Sequence, residues 1–201
     1  MKKTIVKPLV LAVPFLVAVI YFSSTTVGNA TNQAASVVTT SHSDIPIHRD
    51  MTSLVNAATY VLVGKVEGVA GTRNFARDVQ DSAKEDPENY VEGVDYKVKV
   101  SEVLKGEITE KEILVTETRS VRFGKNAPST VSDQYVGLKE GEDYVFFAQK
   151  SETSGRFFNV GQPFFFALKN NQVELKSNEK QLADKFPIMK FEDFKTKMKN
   201  K

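Results

Sequence analysis

The chain has 201 residues, 41% hydrophobic and 26% charged, with 14 Phe, 6 Tyr, no Trp and no Cys. It is too apolar for a disordered polypeptide and has room for one ordinary core, but not for two large domains. Without cysteine there is no disulfide framework, thiolate nucleophile, zinc knuckle, iron–sulfur ligand or lipid-carrying cysteine.

The formal net charge is +2, yet residues 1–30 hold Lys2, Lys3 and Lys7 and no acid, so the remainder carries one more acid than base. Such a remainder lacks the long-range field that attracts polyanions, which argues against a nucleic-acid partner. Residues 1–30 have the layout of an export signal. A basic start leads into the apolar run Leu9–Phe22, then Ser23-Ser24-Thr25-Thr26, and Gly28-Asn29-Ala30 places small residues beside a cut. The run is shorter than the ~20 residues a spanning helix needs, and Pro14 interrupts it. The expectation is a signal peptide over 1–30 and a secreted or cell-envelope product, with membrane contact only through an uncleaved N-terminal segment. This lysine-rich, cysteine-free style resembles exported proteins of Gram-positive bacteria.

Residues 31–49, rich in Thr, Ser, Asn, Gln and Ala, show neither helical nor strand period and read as a flexible arm. A single domain over 50–201 remains. It opens with a short helix, Asp50–Ala58, with Asp50 as its cap and Leu54, Val55 and Ala58 on one face. Tyr60–Val69 reads as a central strand, apolar on both faces at first. Residues 71–90 are polar and acidic and read as a long loop. In Val94–Leu104, Val94, Tyr96, Val98 and Val100 alternate with Asp95, Lys97, Lys99 and Ser101, which predicts one dry and one wet face.

Ile113–Thr118 is a third strand, Arg119–Lys139 a second long loop, and Asp143–Gln149 a fourth strand. Arg156–Val160 and Pro163–Leu168 follow as short strands, and Asn170-Asn171 as a hairpin turn into Gln172–Leu175. At the end, Phe191, Phe194 and Met198 form one helical stripe, with Glu192 and Asp193 early and lysines late, as the helix dipole favours. The predicted fold is mainly β with α caps: a small OB-like antiparallel barrel of about five to six strands, closed to remove sheet edges.

Motifs for covalent chemistry are missing. The histidines, His42 and His48, fall in the arm as two His-x-Asp pairs, and a flexible arm supplies no second shell to fix a metal. His48-Arg49-Asp50 matches part of a kinase catalytic loop by letters, without the accompanying motifs. Gly64, Gly68 and Gly71 have neither dinucleotide nor phosphate-loop spacing. Asp78, Asp81, Glu85, Asp86 and Glu88 read as a solvated acidic loop, with calcium as the alternative, although the EF-hand spacing is absent. No catalytic residue, metal ligand or cofactor is assigned.

Binding has more support. Phe146, Phe147, Phe157, Phe158, Phe164, Phe165 and Phe166 crowd the last third of the chain, and consecutive residues of a strand point to opposite faces. Either the terminal helix covers those that leave the core, or they form an apolar patch that grips a partner. Arg119, Arg122 and Lys125 would rim such a patch, so the candidate partner-binding residues are Arg119, Arg122, Lys125, Phe157 and Phe158.

Three segments occur in a recognisable order: Ala57–Val66 with its Gly64-Lys65-Val66 ending, Tyr96–Gly106 ending in Val103-Leu104-Lys105-Gly106, and Gly141–Phe147 with Tyr144-Val145-Phe146-Phe147. Together, over about residues 50–168, the chain resembles the netrin-type modules and tissue inhibitors of metalloproteinases. The resemblance implies a five-stranded OB-like barrel that binds proteins. The inhibitors' zinc-chelating N-terminal cysteine and its disulfides have no counterpart here, so the fold is carried over and the inhibitory residues are not. The expected function is therefore an exported, non-enzymatic binding protein with an unidentified protein partner. The alternatives are a secreted protease inhibitor of non-cysteine mechanism and a metal-dependent enzyme built on the acidic loop.

Overall fold

The computed structural model describes residues 46–163 and 165–199. The export-type segment 1–30, arm residues 31–45 with His42, and Phe164 lie outside the described residues. No helix among the described residues is long and apolar enough to cross a membrane.

Helix α1 (Met51–Ala57) starts where Asp50 accepts the Ser53 backbone N–H at 2.7 Å, and Leu54, Val55 and Ala58 are buried as one face. The end of the predicted arm is docked rather than free. His48 N–H donates to the Gln162 carbonyl at 2.7 Å, and Gln162 N–H donates to the Pro46 carbonyl at 2.8 Å. This pairing uses only backbone groups, so no side-chain period announces it.

Strand β1 (Tyr60–Asn74) pairs antiparallel with β2 (Tyr90–Lys105) over its length, from Val61↔Lys105 to Asn74↔Glu92, with four register shifts. Its first half also pairs with β5 (Asp143–Lys150), from Tyr60↔Ala148 to Lys65↔Asp143. Bulges of this kind bend a strand and increase its twist, so one strand can serve two neighbours in a curled sheet. At Gly64 a Cβ would lie 2.4 Å from Val98 Cγ1 and 3.1 Å from the Lys99 carbonyl oxygen, so the close approach of β1 to β2 requires glycine.

Strand β3 (Glu112–Arg122) pairs with β2 as far as Tyr90↔Arg122, and the two-residue β4 (Thr130–Val131) pairs with its end. Arg119 and Arg122 thus stand on a strand, not in a loop: the ladder to β2 holds the segment despite its charged sequence. Strand β6 (Phe157–Asn159) joins β3 to β5. The order β1-β2-β3-β6-β5 returns to β1, a ring of five. An odd ring cannot alternate strand direction all the way round, and the parallel neighbours here are β3 and β6. Strands β7 (Phe165–Lys169), β8 (Gln172–Lys176) and β9 (Met189–Lys190) extend the sheet from β5. Asn170 (φ 51°) and Asn171 (φ 60°) make the β7–β8 turn at the predicted place. Helix α2 (Lys180–Ala183) follows β8, and α3 (Phe191–Lys199) ends the described chain.

The consecutive phenylalanines resolve into two cores. Leu62, Tyr96, Val98, Phe146, Phe157 and Phe165 fill the ring interior. Leu54, Val61, Val63, Phe147, Phe166 and Phe194 pack on the opposite face, where α1 and α3 cover the sheet. The Phe166 ring lies 5.7 Å from Phe147 and 5.6 Å from Phe194, both edge-on. Most of the late aromatic run is therefore covered. Replacing Phe166 with Ala should lower the unfolding free energy by about 3–5 kcal/mol in urea titrations. Phe158→Ala, at a half-buried position, should cost clearly less.

Candidate functional site

The β2–β3 ladder turns one face into the ring and the other outward, and the outward face concentrates charge. Asp95 stands opposite Thr116. The period-two pattern assigns Asp95 to a wet face, yet it is only 3% exposed. The Thr116 hydroxyl donates to Asp95 Oδ1 at 2.6 Å, while Arg156 Nε at 2.9 Å and Arg73 Nε at 3.0 Å both donate to Oδ2. Burial by itself would raise this carboxyl. The Thr116 and Arg156 hydrogen bonds and both guanidinium charges outweigh it and hold Asp95 below the ordinary carboxylate range.

Past the register shift at Glu92/Gly93, on the side that continues Val94 and Tyr96, Glu92 stands opposite Ser120. It accepts Ser120 Oγ at 2.7 Å and Arg119 Nε at 2.8 Å, and Arg119 Nη2 donates to its other oxygen in a fork-to-fork pair. The Arg119 hydrogen bond is the main reason the Glu92 carboxyl lies below its usual range. At the ladder's end the Arg122 guanidinium lies over the Tyr90 ring, 5.7 Å from its centroid, and its buried Nε has no partner among the described residues. Lys125 follows, exposed, in the turn that Ala127 N–H closes onto the Gly124 carbonyl.

Aromatic rings complete the face. A Cβ at Gly93 would sit 1.8 Å from the Phe75 ring, so Phe75 packs directly against the β2 backbone there. Phe158 meets it edge-on at 5.6 Å. Asn74, 4% exposed, clasps the 75–89 connection: its Nδ2 donates to the Asp86 and Asn89 carbonyls, and its Oδ1 accepts the Ala76 and Val91 N–H groups. The acidic residues of that connection serve its turns. Asp78 accepts Gln80 and Asp81 N–H at 2.7 and 3.0 Å, and Asp86 accepts Glu88 and Asn89 N–H at 2.8 and 2.9 Å. Among the described residues no three His, Asp or Glu side chains gather as metal ligands.

Arg119, Arg122 and Lys125 therefore share one end of the β2–β3 region, and Phe158 stands half-buried on the outward face. Phe157 is placed elsewhere. Its ring points into the barrel-like ring, 1% exposed, and packs edge-on to Tyr60 at 5.4 Å, because adjacent strand residues face opposite ways. A partner cannot reach it in this fold. Sequence reasoning misses Arg73, Asp95, Arg156 and Phe75. The one available signal was an isolated acid in an otherwise lysine-bearing alternation, and nothing local pairs it with arginines 22 and 61 residues away.

A third carboxyl escapes sequence reasoning altogether. Glu117 continues the inward-facing series of Ile113 and Val115 and is 3% exposed. It accepts Val136 N–H at 2.8 Å and Gly137 N–H at 3.2 Å, close to the Tyr96–Tyr135 hydroxyl pair. Burial dominates and lifts its carboxyl from 4.5 to about 7.

Because the folded value lies above the unfolded one, the folded chain binds the extra proton between the two, and stability falls as pH rises through that window. At about 1.4 kcal/mol per pKa unit, ionisation of Glu117 costs about 3 kcal/mol by pH 8. Glu117→Gln should remove this pH dependence and unfold at higher denaturant than wild type at pH 8, with little difference at pH 5. Asp95→Asn should act in the opposite sense, destabilising by about 3–5 kcal/mol at neutral pH because two guanidiniums lose their common counter-charge. Urea titrations at pH 5, 7 and 8 followed by circular dichroism check both.

In comparison with known proteins, the chain matches no family model and no curated protein.

Proposed function

We propose that this chain is an exported, non-catalytic binding protein of the cell envelope or extracellular space, and that its five-stranded ring is an OB-like module. The strand order β1-β2-β3-β6-β5, with β3 and β6 parallel, supports the OB-like reading and accords with the netrin-type resemblance. OB folds bind ligands on the face of their second and third strands, flanked by the loops after the first and fourth. In this chain those loops are residues 75–89 and 151–156, and they bring Phe75 and Arg156 to the β2–β3 face.

One observation carries the proposal. Arg73 and Arg156 meet at Asp95 beside Phe75 and Phe158 on the outward side of β2 and β3, while Arg119, Arg122 and Lys125 gather with Glu92 and Tyr90 at the end of the same ladder. Cations beside aromatic rings suit a protein surface, since arginine and tyrosine are enriched at interface anchors. The acid excess outside residues 1–30 speaks for a protein over a nucleic acid. Export rests on the basic, apolar and small-residue order of residues 1–30.

Affinity capture from envelope and secreted fractions tests this reading. The double variant Arg122→Glu/Lys125→Glu changes charge without touching either buried carboxylate, so it should stay folded, with its melting temperature lowered only by loss of the Arg122–Tyr90 contact. Capture of the partner should fall roughly tenfold or more, as like-charge contacts at a rim slow association and weaken binding. Equal recovery by both proteins would move the binding surface elsewhere.

A further inference from the structure

Arg73 and Arg156 meet Asp95 in an unusual way, and Arg119 on the neighbouring carboxylate provides the contrast. Arg119 uses Nε and Nη2 together on the two oxygens of Glu92, the arrangement in which a guanidinium and a carboxylate satisfy each other. Asp95 instead gives a single oxygen, Oδ2, to the Nε atoms of two different arginines, and its other oxygen is taken by Thr116. Neither guanidinium is matched. Arg156 Nη1 donates to the Ser154 carbonyl at 3.2 Å. Arg156 Nη2 and both Nη atoms of Arg73 make no hydrogen bond to the described residues.

The charge is unmatched as well. Two guanidiniums held against one carboxylate oxygen leave one positive charge in surplus, in a place where water reaches only part of each side chain. Arg73 is 32% exposed and Arg156 17%. Beside them, the edge-on rings of Phe75 and Phe158 form an apolar wall, and the Arg73 guanidinium lies 5.9 Å from the Phe75 centroid. Thr118, next after Thr116 on the outward side of β3, is exposed.

We propose that Arg73 and Arg156 form a receptor for a single carboxylate of a protein partner, an acidic side chain flanked by an aromatic residue, with Asp95 as the positioning residue that sets the two guanidiniums side by side. This rests on the reading of the β2–β3 face as a protein-binding surface. The unspent Nη donors of both arginines provide a two-sided fork that matches a carboxylate, and the incoming charge restores neutrality to the trio. The phenylalanine wall excludes water from one side, which strengthens the pairing and offers an edge to the neighbouring aromatic ring. Charge selects a monoanion over a polyanion. The surplus is one, and the adjoining 75–89 connection carries Asp78, Asp81, Glu85, Asp86 and Glu88 against Arg77 and Lys84. Those carboxylates repel phosphate chains and dense acidic tracts.

The test follows the arginine Nε–H resonances of the whole domain by nuclear magnetic resonance. The probes are a capped tripeptide of phenylalanine, glutamate and phenylalanine, its glutamine counterpart, and inorganic phosphate. The Arg73 and Arg156 resonances should shift saturably with the glutamate peptide and stay in place with the glutamine peptide, while Arg119 serves as an unmoved control. Arg73→Lys keeps the charge beside Asp95 and loses the fork, so the glutamate peptide should bind roughly tenfold more weakly. No shift with the glutamate peptide, or equal shifts with both peptides, would overturn the receptor, and wild-type protein alone decides this. Phosphate shifting the same resonances at lower concentration than the glutamate peptide would overturn the carboxylate assignment. If Arg73→Lys captures the natural partner as well as wild type does, while Arg122→Glu/Lys125→Glu does not, the receptor fails and the binding face stands. Equal capture by all three proteins removes the face itself.

Discussion

Strand β1 has both edges and both faces engaged at once. Its edges pair with β2 and β5, and its side chains alternate between the ring interior, through Leu62 and Val66, and the helix-covered layer, through Val61 and Val63. The run Val61-Leu62-Val63, apolar on both faces, meets that demand, with glycine at position 64 where β2 comes closest. Closure of the ring needs β1 to curl, and the register shifts along its pairing with β2 supply the bend. The parallel β3–β6 contact and the extension through β7, β8 and β9 are consequences of closing an odd ring and of β5 keeping a further stretch of edge to offer.

That closure also places the charged face. The second half of β1 runs past the ring with β2 and brings Arg73 and Phe75 across Asp95 and Gly93. The turn before β6 brings Arg156 to the same carboxylate from the other side. Asp95 and Glu92 are both answered by arginines, and each remains ionised because its hydrogen bonds and counter-charges exceed the cost of burial. Glu117, on the inward face of the same ladder, meets the opposite balance. Backbone N–H groups reach it without a cation, burial dominates, and its proton is retained to higher pH. Neighbouring carboxylates on two strands thus differ in protonation according to whether a guanidinium reaches them.

Much of the fold was legible from local patterns. Asp50 caps α1, Val94, Tyr96 and Val98 enter the core together, Asn170-Asn171 turns the β7–β8 hairpin, and Phe191 and Phe194 pack as one stripe. These follow from side-chain period, cap chemistry and tolerance of positive φ, which a short window of residues contains. The extension of β1 to Asn74 and of β3 to Arg122 was less legible, because polar residues there are held by a partner ladder whose other half lies far along the chain. The candidate site was legible only in part. Arg119, Arg122 and Lys125 were recognisable as clustered bases, and Phe158 as one of a pair that must split. Which member of that pair turns inward depends on where β6 sits between β3 and β5.

The sequence by itself determined a mainly β chain, the caps and turns, the alternation that separates wet from dry positions, and the lack of any cysteine-based chemistry. Each of these is written in residue type and spacing over a few positions. Tertiary structure decided which acids are buried and which cations answer them. Asp95, Arg73 and Arg156 meet only because β1, β2 and the turn before β6 converge, and Glu117 holds its proton only because ring closure seals it from water. Charge pairing and burial depend on distance through space, and distance along the chain does not encode them.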